Sequence, residues 1–240
     1  SSPPILSPHM KHLTTFLIAA GTFASLLRAE IEEDIPYGIE AVTGLRSAYT
    51  YRGLELASST LDFQLAAEVA VDNQLSVGAG AWIATESDGD FYEHAGFLEL
   101  HTTLGDAFTA SAGLTYHRYG GSAIRSGFDL SGSLRWHAYK DWSFSTSIAH
   151  DYGSGGWYSE LTSDWFRRLS DDAFLSGRIG ISATKDYYGI SGLSDLSGRV
   201  ALTYNINSML SVSPFIGWSY ELQHRDSDEM YGGVWFEASF

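Results

Sequence analysis

From residue 38 onward the chain alternates apolar and polar side chains, segment after segment. The clearest run is Leu210 to Leu222. Leu210, Val212, Pro214, Ile216, Trp218, Tyr220 and Leu222 fall on one parity; Ser211, Ser213, Phe215, Gly217, Ser219 and Glu221 fall on the other. A β-strand points successive side chains to opposite faces, so this segment has one apolar face along its whole length. Phe128, Leu130, Leu134 and Trp136 likewise oppose Asp129, Ser131, Ser133, Arg135 and His137. Trp142, Phe144, Thr146 and Ile148 oppose Ser143, Ser145 and Ser147, and Leu61 to Val71 alternate with Asp62, Gln64 and Glu68. Such strands are long for a soluble sheet and suit tilted membrane-crossing strands of about 10 residues with extensions.

Turn signals divide the pattern. Asp72-Asn73, Gly105-Asp106, Lys140-Asp141, Ser170 to Asp172 and Asn205 to Ser208 read as tight turns. Asp, Asn and Gly tolerate left-handed backbone and bond their own neighbours. Centred on 73, 106, 141, 171 and 207, they recur at spacings of 33, 35, 30 and 36, room for two strands and one longer loop each. Longer loops are expected near 53–59, 84–90, 120–126, 153–156, 185–191 and 223–228. Eleven connections imply twelve strands, over 38–52, 60–71, 75–84, 91–104, 108–119, 127–139, 142–152, 157–169, 173–184, 192–204, 209–222 and 229–240. The expected fold is all-β: a transmembrane antiparallel β-barrel with short periplasmic turns and longer extracellular loops. Closure satisfies every ladder hydrogen bond in lipid and leaves no edge. A soluble β-sandwich would also alternate. It does not account for an apolar face bounded by Trp142, Trp157, Trp165, Trp218, Tyr204 and Tyr220, which reads as two aromatic girdles.

Both ends carry addresses. Lys11-His12 and the apolar stretch Leu13 to Leu27 before Ala29 read as a signal peptide over 10–29, too short for the roughly 20 residues of a spanning helix. Residues 1–9 are set aside as a non-native or mis-assigned leader, 30–37 form a periplasmic tail, and 38–240 the barrel. The end Val234-Trp-Phe236-Glu-Ala238-Ser-Phe240 resembles the assembly signal of bacterial outer-membrane proteins, implying the barrel assembly machinery as a partner. The chain has no Cys, which excludes disulfides and thiolate chemistry. Its 29 acids against 14 Lys and Arg exclude nucleic acid as a partner. Without Lys11 and Arg28, 12 bases face 29 acids, net −17.

If the apolar parity meets lipid, the other parity meets the lumen. It carries Glu40, Arg46, Arg52, Asp62, Glu68, Glu93, Glu99, His101, His117, Asp129, Arg135, His137, Asp151, Glu160, Asp164, Arg168, Arg178, Asp195, Arg199, Glu221 and Glu237. These charges either line water or pair across a plugged interior. Counted from the turns, Arg135, Arg178, Arg199 and Glu99 share a level, with Arg46 above and Glu68 and Glu237 nearer the periplasmic rim. These seven are the expected pore-lining residues. Their signs separate around the wall, and a transverse field tunes ion preference. Twelve lumenal acids against six arginines predict a mild preference for cations. The acidic loop residues Glu86, Asp88, Asp90, Asp186, Asp226, Asp228 and Glu229 lack the rest of a calcium-loop pattern and read as solvated charge.

Catalytic signatures are missing. There is no His-x-Ser, Gly-x-Ser-x-Gly, His-Glu-x-x-His or phosphate loop. His150 and Asp151 are adjacent and so face opposite ways.

Tyr49-Thr50-Tyr51-Arg52-Gly53-Leu54 resembles the Y-x-[FY]-R-G-[IL] signature of the TorF-like porin family of Gram-negative outer-membrane proteins. The resemblance implies a small barrel, a channel without a defined substrate, and Tyr51, Arg52 and Gly53 as its distinguishing residues. Gly53 is expected to let the chain turn out of the barrel, leaving Arg52 at the outer mouth. The resulting expectation is a monomeric porin-like channel without cofactor or metal, set among outer-membrane lipid and lipopolysaccharide, passing small hydrophilic solutes or ions. The alternatives are a closed-lumen structural or surface-interaction barrel and, further off, an outer-membrane lipase or protease.

Overall fold

A computed structural model describes residues 37–223 and 229–240. The expected leader, the expected signal segment and residues 30–36 of the expected tail lie outside the described residues, as do Asp226 and Asp228. Twelve strands close into an antiparallel barrel: β1 (Tyr37–Arg46), β4 (Thr60–Ala70), β5 (Leu75–Glu86), β6 (Tyr92–Leu104), β7 (Phe108–Gly120), β8 (Gly127–Tyr139), β9 (Trp142–Asp151), β10 (Gly156–Arg168), β11 (Ala173–Tyr187), β12 (Ile190–Asn205), β13 (Leu210–Glu221) and β14 (Glu229–Ser239). A small hairpin, β2 (Tyr49–Tyr51) and β3 (Leu54–Ala57), stands apart as its own two-stranded sheet. Neighbours in sequence pair around the ring, and β1 pairs with both β4 and β14. The C-terminal residue helps close it: Phe240 N–H donates to Ile39 O at 2.9 Å, and Ile39 N–H donates back at 3.2 Å.

The five tight turns form as the local chemistry dictates. Asp72 Oδ1 accepts from the N–H groups of Gln74 and Leu75, at 2.7 and 2.8 Å. Asn207 Oδ1 does the same for Met209 and Leu210, at 2.8 and 3.0 Å. Gly105 supplies a φ of 65°. At the opposite end two expectations need correcting. The strand expected over 38–52 stops at Arg46, because residues 49–57 fold back on themselves. The loop expected at 185–191 is a two-residue turn at Tyr188-Gly189, since Tyr187 pairs with Ile190 and prolongs the ladder beyond two bulges.

The apolar parity faces outward. Leu98, Leu130 and Ile216 remain 57%, 53% and 60% exposed, far from a buried core and suited to acyl chains. Trp136, Trp142 and Tyr204 mark the short-turn end of this face; Tyr116, Trp157 and Tyr220 mark the other. Two tryptophans also cover bare backbone. The indoles of Trp165 and Trp218 lie over Gly177 and Gly198 of the next strand, where a Cβ would come within 2.0 and 1.9 Å of them. This aromatic-on-glycine pairing seals the ladder where a glycine exposes it.

Candidate functional site

The inward parity holds the charge, and the hairpin β2–β3 reaches across the lumen at its long-loop end. The barrel ladder runs up to Ser47 and Ser59, whose backbones bond Gly232 O and Ser87 N–H at 2.9 and 2.8 Å. Between them the chain turns into the barrel, not out of it. Arg52 and Gly53 take φ values of 53° and 76°. Two consecutive positive φ angles make the primed turn that matches strand twist. Arginine there costs about 1–2 kcal/mol of left-handed strain, and its contacts offset this.

Arg52 reaches strands on the far side of the ring. Its Nη2 lies 2.6 Å from Asp129 Oδ2 on β8, and both side chains are nearly buried. The guanidinium stacks on Tyr51 at 4.8 Å, Tyr158 at 5.4 Å and Tyr187 at 5.8 Å from the ring centroids. Tyr51 Oη donates to Asp129 at 3.1 Å. Tyr49 Oη donates to Glu93 on β6, and His117 on β7 joins the two acids: its Nδ1 is 2.7 Å from Glu93 and its Nε2 3.6 Å from Asp129. Tyr49 packs with Ala57, Ala84 and Phe91 in a small buried cluster. At the tip, a Cβ on Gly53 would meet Ser194 Oγ at 2.6 Å. Beneath, Asp195 accepts from the Ser182 hydroxyl. Arg46 pairs with Asp62 and stacks under Tyr49 and Trp82, at 4.6 and 5.2 Å, so it belongs to the seat of the hairpin.

Below the hairpin the lumen opens into adjoining cavities. One of about 520 Å³ is lined by Glu40, Glu68, Glu99 and His101 from β1, β4 and β6. Another of about 310 Å³ is lined by Arg135, Arg178, Arg199, His137 and Lys140 from the β8–β12 side. A third of about 330 Å³, with His101, Arg135, Glu160 and Arg178, adjoins both. Of the seven expected pore-lining residues, Glu68 and Glu99 therefore share the acidic wall, and Arg135, Arg178 and Arg199 the basic one. Arg46 sits higher in an ion pair. Glu237 lies across from Val42 and Ser211 and accepts from Ser239 Oγ at 3.1 Å. Arg52 lies at the long-loop end of the lumen, inside it. Missed by sequence reasoning were Tyr158 and Tyr187, the inward packing of Tyr49, and the joint role of Glu93, His117 and Asp129. The parity of these three acids and bases was visible; their convergence on one hairpin was not.

No protein-family model matches the chain, and no curated protein is similar to it in sequence. Solved structures are similar in fold. A KdgM porin superposes with a TM-score of 0.56 at 11% identity, over 85% of this chain and 99% of that one. A NanC porin gives 0.55 at 13%, over 83% and 98%. The COG4313 outer membrane channel from Pseudomonas putida F1 gives 0.53 at 10%, over 86% and 94%. At these identities the likeness is one of fold, and that fold is the twelve-strand barrel of outer-membrane porins and channels.

Proposed function

We propose that the chain is a porin-like channel for passive diffusion of small hydrophilic solutes and ions across the outer membrane, with a mild preference for cations and with the β2–β3 hairpin as its stopper. The observation that carries this reading is the charged chamber beneath the hairpin, acidic on one wall and basic on the other. A dry structural barrel has no use for so many charges facing open space. The cation preference rests on the balance of charge left after pairing. Asp62, Asp129 and Asp164 are matched by Arg46, Arg52 and Arg178, which leaves Glu40, Glu68, Glu99 and Glu160 lining the cavities against Arg135, Arg199 and Lys140. Likeness in fold to the KdgM and NanC porins supports a channel over an enzyme. The TorF-like motif belongs to the same proposal, its Tyr-Arg-Gly forming the tip of the stopper. Lipopolysaccharide and the barrel assembly machinery are the partners it implies.

The test is single-channel conductance of refolded protein in a planar bilayer under a salt gradient. Replacing residues 49–57 by a short Gly-Ser link should raise conductance. Exchanging Arg135, Arg178 and Arg199 for Gln should raise cation preference, and Glu68→Gln with Glu99→Gln should lower it. A reversal potential of the anionic sign refutes the selectivity. The second reading is a closed-lumen structural or surface-interaction barrel, favoured by the burial of Arg52 and its partners. Silence of the hairpin-less variant selects it.

A further inference from the structure

The register of β11 and β12 sets Arg178 directly opposite Arg199 on the lumenal face. Like charges in that position repel and cost stability. One carboxylate relieves the pair: Asp164 Oδ1 accepts from Arg178 Nε at 2.6 Å. Arg199 lies over the Trp235 ring, 4.6 Å from its centroid, and among the described residues it has no carboxylate within ion-pair distance. Arg135 of β8 opens on the same 310 Å³ cavity and spends its Nε on Ser145 Oγ at 3.1 Å. Lys140 completes a lining of four cationic side chains against two carboxylates, Asp141 and Asp164. Guanidinium forks that no protein acceptor fills are shaped for planar or tetrahedral oxyanions.

We propose that this cavity is a binding site for a small oxyanion, a solute bearing carboxylate or phosphate groups, held by Arg199, Arg178 and Arg135. The site explains why two arginines face each other, and it does not depend on passage through the barrel. The anion would be held against one wall, leaving the acidic wall to the cations. The experiment is isothermal titration calorimetry of detergent-refolded protein at low salt, with inorganic pyrophosphate and with citrate. Saturable binding of either supports the site, and added sodium chloride should weaken it. Arg199→Gln should weaken binding about tenfold or more. Arg135→Gln, which removes an exposed side chain with one hydroxyl partner, gives the same readout should Arg199→Gln fail to refold. Arg168→Gln, which alters an exposed pair with Asp171 at a turn, should leave binding unchanged. Absence of saturable binding for both anions, or equal affinity in wild type and both lumenal variants, overturns the proposal. Conductance plays no part in these measurements, so a silent barrel that binds pyrophosphate separates this site from the channel reading.

Discussion

Replacing Arg52 with alanine should release the hairpin. The side chain is held by one short ion pair with Asp129, with exposures of 12% and 6% for the two partners. Removing one member of a buried pair costs about 3–5 kcal/mol, because the other charge is left desolvated. Asp129 keeps two neighbours, the Tyr51 hydroxyl at 3.1 Å and His117 Nε2 at 3.6 Å, so the lower figure applies. Alanine at a φ of 53° keeps the left-handed strain. A loss of about 3 kcal/mol that falls on the seated hairpin alone shifts its seated-to-released ratio by about 150-fold, at 1.4 kcal/mol per tenfold. The assay is single-channel recording in a planar bilayer, read as the fraction of time at the higher conductance level. The double variant Arg52→Gln/Asp129→Asn removes both charges together and should lie well short of the sum of the singles. An Arg52→Ala barrel that migrates as folded in unheated gels yet shows wild-type conductance levels would refute the stopper.

Other outcomes follow from single contacts. Arg46→Ala strips the nearly buried Asp62 of its cation and should lower stability in urea unfolding by about 3 kcal/mol or more. Gly198→Val drives a side chain into the Trp218 indole and should cost about 1–3 kcal/mol, with Trp fluorescence shifting as the ring moves into lipid. The Asp72 carboxylate is held below its ordinary range by the N–H groups of Gln74 and Leu75. Its support for the turn is complete above the unfolded value of about 4 and is lost as pH falls through the lowered folded value. Stability of Asp72→Ala should accordingly show a weaker decline with acid than wild type.

The wall of the barrel was legible because parity is a local property. Leu98, Leu130 and Ile216 could be assigned to lipid from their neighbours alone, and Asp72 and Asn207 announce their turns by chemistry that stays within three residues. The hairpin was hidden for the opposite reason. Tyr49-Thr50-Tyr51 continue the alternation of β1 without a break, Leu54-Glu55-Leu56 are too few to stand out from a loop, and Arg-Gly is not the usual pair at a primed turn. Whether that turn points inward is decided by Asp129, Tyr158 and Tyr187, which are 77 to 135 residues further along the chain. The basic wall was half legible. Parity put Arg178 and Arg199 in the lumen, but facing them across one ladder requires a register that spacing does not fix to the residue.

The β2–β3 hairpin is joined to the wall at both ends, through Ser47 and Ser59, beside adjacent strands of the ring. A plug supplied by a separate molecule would close the barrel only as often as the two met. If the hairpin acts as the proposed stopper, a released tip could swing out only a few residues' length, and its concentration at its own seat would stay high, on the order of millimolar or above for so short a tether. Reseating would then be a first-order event, indifferent to how many copies a cell carries. On the proposed reading, closing would be a property of each chain by itself.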